Sequence, residues 1–288
     1  MLLKVENLTH VYMPDTAFSK TAIEKVCFSV EKGEFIGLIG HSGSGKSTLI
    51  QHLNGLLAPT EGNIYYNGAD IWADKAKIRQ IRFEIGLVFQ YPEAQLFEET
   101  VYRDIAFGPK NMGLSEQEIR ERVYDACEMV GIREEMLEKS PFELSGGQKR
   151  RVAIAGVLAM KPSIIILDEP TAGLDPKGRT AILNRIKQLH ESWGITVILV
   201  SHSMEDIANN ASRIIVMDQG KIVMDGATRQ IFSRVDELEK IGLSVPQVTK
   251  VFFELKRAGY PVHTDILTTG EGRDEILRIL EKRGDLTC

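Results

Sequence analysis

Cysteine is scarce in this chain, and the three that occur, Cys27, Cys127 and Cys288, are odd in number and far apart. They make no disulfide framework and no metal-binding spacing, and they fit a reducing compartment. Long apolar runs are missing as well. A bilayer-spanning helix needs roughly 20 such residues, whereas the longest candidate, Ile195 to Val200, has the length of a core strand. The opening Met1-Leu2-Leu3-Lys4-Val5-Glu6 lacks the pattern of a secretory signal, so a chain soluble by itself is expected. An excess of positive charge is absent too: the formal net charge is −5 with both signs interspersed, and Lys149-Arg150-Arg151 is too short a run to advertise nucleic acid. At 288 residues the chain is long enough for one large α/β domain with an appendage.

What the chain does have is glycine in short, ordered clusters. Gly40-His41-Ser42-Gly43-Ser44-Gly45-Lys46-Ser47-Thr48 matches the pattern of a phosphate-cradling loop. It follows an apolar run of strand length, Glu34 to Ile39, and precedes Ser47 to Asn54, where Leu49, Ile50 and Leu53 share one helical face and Gly55 follows as a cap. Glycines let several backbone N–H groups converge on one anion in conformations that a Cβ would penalise, and the helix N-terminus adds about half a positive charge there. Lys46 would reach the β- and γ-phosphates of ATP, and the Ser47 hydroxyl would ligate Mg²⁺.

A second run, Ser163-Ile164-Ile165-Ile166-Leu167-Asp168-Glu169-Pro170, reads as a central parallel strand that delivers two acids at its carboxyl end. Asp168 is expected to hold the Mg²⁺ hydration shell. Glu169, facing the other way along the pleat, is expected to polarise the attacking water. A third cluster, Leu144-Ser145-Gly146-Gly147-Gln148, opens a helical pattern that stops before Pro162. Ser145 and Gln148 fit an ordinary capping box, but two adjoining glycines also let a backbone approach an anion closely.

Taken together, Gly40–Thr48, Gln90, Leu144–Gln148, Ile164–Pro170, Gly173-Leu174-Asp175 and His202 resemble the ABC ATPases over roughly residues 1–225. The resemblance implies a P-loop fold with a mostly parallel core sheet, an antiparallel β edge and a helical subdomain over about residues 91–160. It also implies that the signature turn Ser145, Gly146, Gly147 and Gln148 of one subunit closes on the γ-phosphate held by another subunit's loop. By the same resemblance Gln90 contacts Mg²⁺ and the water, Asp175 crosses the interface, and His202 hydrogen-bonds the γ-phosphate and Glu169. Tyr12 either stacks on adenine or is a packed strand aromatic, since the lengthened turn from Met13 to Ala22 leaves its register open.

Finer features, His41 in the loop and Tyr91-Pro92-Glu93-Ala94-Gln95-Leu96-Phe97 after Gln90, resemble the ATPase subunits of energy-coupling factor (ECF) transporters, bacterial importers of vitamins and metal ions. Ala172-Gly173-Leu174 and Ser201-His202-Ser203-Met204 are similar to the second of the two paralogous ATPases there. This implies a peripheral protein on the cytoplasmic face of the cell membrane. Its partners would be a paralogous ATPase, or a second copy, a transmembrane scaffold subunit and a substrate-binding membrane subunit. Tyr91 and Phe97 would belong to the groove that receives the scaffold, or else pack under a loop. The ATPase of a binding-protein-dependent ABC importer shares every catalytic motif and is the alternative. Chromosome-structure ATPases are disfavoured because no sustained heptads lie between Ser47 and Pro141, and ribosome-acting relatives because only one cassette is present.

Residues 226–288 carry no catalytic pattern. Short amphipathic helices are expected at Thr228–Phe232, Val235–Ile241, Pro246–Ala258 and Asp274–Lys282, the last ending at Gly284. This tail is either a cap on the sheet or a dimerisation element.

Overall fold

A computed structural model describes residues 1–283; the expected cap at Gly284 lies outside them. Strands β1 (Leu3–Tyr12) and β2 (Lys20–Val30) pair antiparallel, so the lengthened turn between them spans residues 13–19. Strand β3 (Phe35–Ile39) leads through the phosphate loop into helix α1 (Lys46–Leu53), which starts one residue earlier than the pattern predicts. Strands β4 (Glu61–Tyr66) and β5 (Ala69–Asp70) form a hairpin and complete a four-stranded antiparallel sheet in the order β2-β1-β4-β5, the antiparallel edge that the resemblance implies. Helix α2 (Ile78–Glu84), which no motif in the sequence marks, precedes β6 (Ile85–Val88).

Helices α3 (Val101–Asn111), α4 (Glu116–Val130) and α5 (Gly146–Leu158) follow, then β7 (Ile164–Asp168), α6 (Pro176–Trp193), β8 (Thr196–Val200), α7 (Met204–Asn210), β9 (Arg213–Asp218) and β10 (Lys221–Ala227). The core sheet runs β10-β9-β3-β8-β7-β6, parallel throughout except for β10. Four of its strands, β3, β6, β7 and β8, are buried at every residue, which is why they read as unbroken apolar runs: both faces of a parallel sheet are covered.

The alternation of side chains sorts these strands into two cores. Ile165, Leu167, Val197 and Leu199 face the core shared with the helices, while Ile164, Ile166, Ile198 and Val200 face the core shared with α1 and the antiparallel sheet. Each such residue contributes roughly 1.5–3 kcal/mol through burial. The carboxyl ends of the parallel strands are thereby held rigidly in one row, where ligands of open α/β sheets bind.

Helix ends follow local chemistry. Ser115 and Glu118 make a full capping box for α4, and Gly131 ends it in the left-handed conformation. In the tail, α8 (Thr228–Phe232), α9 (Val235–Lys240) and α10 (Gln247–Arg257) fall close to their expected places. Helix α11 (Thr269–Arg283) starts five residues before the predicted Asp274, because Thr268 and Glu271 form a hydrogen-bonded cap that the apolar pattern did not reveal. Ile231, Phe232, Val235 and Leu238 join the main helical core, whereas Phe252, Val262 and Ile266 make a small cluster of their own. Among the described residues no helix is long and apolar enough to cross a membrane.

Candidate functional site: a phosphate cleft at the carboxyl edge of the sheet

An open cleft of about 490 Å³ lies over the phosphate loop. Its walls gather Ser42, Gly43, Gly45, Lys46, Ser47 and Thr48 with Gln90, Asp168, Glu169 and His202, so residues more than a hundred positions apart in sequence meet at one place. Gly45 caps α1 at φ 103°, and a Cβ there would crowd the Ala22 carbonyl oxygen at 2.7 Å. At Gly40 a Cβ would collide with the Met217 carbonyl oxygen. Glycine is therefore required by close approach at one position and by backbone sign at the other.

The Lys46 ammonium is buried and donates to the Gly40 carbonyl at 2.7 Å and the His41 carbonyl at 3.0 Å. Burial lowers its pKa, and Glu169 and Asp168 oppose that shift. Asp168 is buried as well, and its carboxyl is pushed up by desolvation, with Lys46 pulling it back. Glu169 is pushed up to about 7, first by burial and then by the neighbouring Asp168 charge. Its Oε1 is buried and without a hydrogen-bond partner.

Glu169 corrects the sequence reading. Instead of continuing the pleat to the opposite face, it takes φ 50° while its N–H donates to the Val200 carbonyl at 3.0 Å. A left-handed glutamate is uncommon and costs of order 1 kcal/mol or more. The turn brings both acids into the same cleft. His202 stands over Glu169, with Nε2 at 3.6 Å from Oε1, and its pKa is lowered by burial and then by Lys46.

Tyr12 also reaches the cleft, and its hydroxyl lies 3.2 Å from Thr48 Oγ1. It sits edge-on to His10 at 4.5 Å between ring centroids, and His10 in turn sits edge-on to His52 at 4.6 Å. His10 and Tyr12 share a face of β1, and Thr48 and His52 share a face of α1 one turn apart, so the Tyr12–Thr48 and His10–His52 contacts tie strand to helix at two points. Sequence reasoning missed His10 and His52. It also missed Lys20, Thr21, Ala22, Gln219 and Gly220, which line the cleft from β2 and the β9–β10 turn; no motif marks them.

The signature turn stands elsewhere. Ser145 and Gly146 are exposed, Gly147 and Gln148 half-buried, and none of the four lines the cleft. Ser145 accepts from the Gln148 N–H, and the Gln148 side chain accepts from the Ser145 N–H at 2.9 Å. Asp175 is exposed and caps α6 by accepting from the Gly178 N–H at 2.7 Å. Within one chain these residues do only what helix caps do.

Among the described residues no group of three or more His, Cys, Asp or Glu side chains is placed to hold a metal. Ser47, Asp168 and Gln90 fit a cation only if phosphate oxygens complete its shell, as they do for Mg²⁺ carried with a nucleotide.

The ABC transporter family matches residues 23–172. The energy-coupling factor transporter ATP-binding protein EcfA2 of Caldanaerobacter subterraneus subsp. tengcongensis is 59% identical over 97% of this chain and 98% of its own length, and that of Clostridium perfringens 56% identical over 97% and 99%. Among solved structures, CbiO1 of Clostridium perfringens, described as part of the ABC transporter complex CbiONQ, is 38% identical. It covers 90% of this chain and 97% of its own, at a TM-score of 0.74. The ATP-binding cassette MJ0796, solved as a post-hydrolysis dimer bound to ADP and Pi, is 32% identical over 79% of this chain and 99% of its own, at 0.71. With more than half of all positions shared along almost the full length, the chain belongs to the energy-coupling factor transporter ATP-binding proteins of the ABC transporter family, and ATP hydrolysis that energises such an importer is its activity.

Proposed function

We propose that this chain is one half of an ATP-driven clamp, and that its cleft becomes a complete active centre only when a second ATPase subunit lays a signature turn over it. The observation that carries this reading is the separation of the two phosphate-facing turns. The cleft holds Lys46, Ser47, Asp168, Glu169, Gln90 and His202 but none of Ser145, Gly146, Gly147 and Asp175; of these, Ser145, Gly146 and Asp175 are exposed and Gly147 is half-buried.

In the clamp the loop amides and Lys46 bind the β- and γ-phosphates, and Tyr12 lies against the base. Ser47, Asp168 and Gln90 would hold Mg²⁺ together with the phosphates, an ion whose chemistry is to neutralise charge on the phosphoryl oxygens. Glu169 takes a proton from the attacking water, which its raised pKa suits it to do near neutral pH. His202 orients Glu169 and the γ-phosphate. Signature-turn N–H groups from the other subunit stabilise the transferring phosphoryl group. Closure on ATP and release after hydrolysis move the membrane partners.

The partner is a paralogous ATPase or a second copy of this chain. A transmembrane scaffold subunit and a substrate-binding membrane subunit complete an importer of vitamins or metal ions, with this chain on the cytoplasmic face. The relatives' names and the CbiONQ complex of the CbiO1 neighbour support that assembly. The test is the mass of the Glu169→Gln chain in solution, alone and mixed with its paralogue, with and without ATP. ATP-dependent doubling is expected in at least one case; an unchanged monomer mass in both refutes the clamp.

A further inference from the structure

His41 occupies the variable position of the phosphate loop, and two features of its surroundings point the same way. The first is mechanical. The β9–β10 turn, with Gln219 at φ 45° and Gly220 at φ 78°, presses on the loop: the Gly220 N–H donates to the Ser44 carbonyl at 3.0 Å, and the Gly220 carbonyl accepts from the Glu24 N–H at 2.9 Å. The second is chemical. His41 Nε2 lies 2.8 Å from Asp218 Oδ1 at the end of β9, and its Nδ1 lies 2.7 Å from the Ser42 carbonyl oxygen.

A carbonyl oxygen and an ionised carboxylate only accept hydrogen bonds, and a neutral imidazole carries one N–H. Both contacts are satisfied together only by the imidazolium, which carries two. In the neutral form one ring lone pair would face an oxygen lone pair at hydrogen-bond distance. The charged groups around the ring are Asp218 from β9 and Lys46 from α1, while Lys221 of β10 is turned toward Glu24 of β2 at 3.1 Å. The pKa of His41 is raised, first by the Ser42 carbonyl and then by Asp218, against slight burial and the Lys46 charge.

We propose that His41 is a positioning residue, held doubly protonated between Asp218 and the Ser42 carbonyl, which fastens the phosphate loop to the end of β9 and keeps the Asp218 carboxylate neutralised against the loop. The protonation state stands on geometry alone, and the effect on binding rests on the loop being the nucleotide site. Below the pKa of His41 the tether and the charge balance are intact. As pH rises through it, the ring releases a proton, one of the two hydrogen bonds is lost, and Asp218 is left as an uncompensated anion against the loop that binds the phosphates. Nucleotide affinity therefore falls with rising pH.

Two measurements on the full chain test this. Imidazole resonances followed by carbon-edited NMR, with His41 identified by its loss in His41→Asn, should titrate above the ordinary histidine value of 6.5 and move down in Asp218→Asn. A midpoint at or below that value, or one unmoved by Asp218→Asn, overturns the assignment. Calorimetric titration with ADP is then run across the same pH range in a Glu169→Gln background, which removes the cleft carboxyl that is pushed up to about 7. Affinity should fall several-fold as His41 deprotonates. His41→Asn should be weak at every pH without that slope, and His41→Lys, whose charge is fixed over the range, should regain affinity without it. An identical slope in His41→Asn refutes the positioning role, and no ADP binding by any variant refutes the nucleotide site while the NMR titration still decides the charge.

Discussion

The phosphate loop and the signature turn both use glycines to open a helix, yet one is finished inside the chain and the other is not. The loop is gripped from outside itself: Gly220 hydrogen-bonds Ser44, Asp218 holds His41, and Lys46 is buried beneath it. The turn from Leu144 to Gln148 is exposed at Ser145 and Gly146, and among the described residues the hydrogen bonds of Ser145 stay within the helix start. A site prepared for a ligand in its own chain is preorganised by tertiary contacts. A turn that lines no cleft of its own chain needs only a correct local shape, and α4 shows how ordinary that shape is, since Ser115 and Glu118 make the same cap with no glycine pair.

That contrast is broken most sharply at the chemistry. Glu169→Gln, paired with loss of the corresponding base in the partner, should slow ATP hydrolysis by the assembled complex by about 100-fold or more while leaving nucleotide affinity within a few-fold. With Glu169 intact, turnover should fall as pH drops below about 7, because the base must be ionised to accept a proton. Near-normal turnover in the double variant, or a rate flat between about pH 8 and pH 6, would remove the assignment.

A smaller but more discriminating effect is expected at the turn. Ser145→Arg should lower hydrolysis by the assembled complex by about tenfold or more through bulk and charge at the closing surface, and should not change ATP affinity in the isolated chain. Lost affinity in the isolated chain would mean that the turn serves its own cleft, erasing the difference between the two regions.

The smallest effect concerns the brace beneath the loop. His52 is fully buried with both ring nitrogens unpaired, and its pKa is pushed down to about 4, by burial first and by His10 second. A histidine with a depressed folded pKa stabilises the fold above its unfolded pKa of 6.5, and that stability is lost as pH falls toward the folded value. Between pH 7 and about pH 5 the loss is about 2 kcal/mol, or a Tm drop of several degrees. His52→Phe should remove that part of the drop in a thermal melt; an unchanged pH dependence would show that the ring is not desolvated in the folded chain.

Sequence spacing alone revealed the motif-bearing strands and the cap of α5, because these depend on alternation and on a serine three residues before an acid or amide. It could not reveal α2 or the early start of α11, whose patterns were weak or local. Nor could it show that Glu169 leaves the pleat: its N–H still continues the ladder to the Val200 carbonyl on the neighbouring strand, but its left-handed φ of 50° breaks an alternation that the apolar run alone predicts to continue.

The residues themselves thus determined the chemistry on offer: a loop of glycines with a lysine, two acids after an apolar strand, and a glycine pair at a helix start. Only the tertiary structure decided which of these share a cleft. The sheet order sets the ends of β3, β6, β7, β8 and β9 side by side and leaves the start of α5 outside. Proximity across a parallel sheet depends on strand order, and strand order is set by long-range packing that no short window of sequence contains.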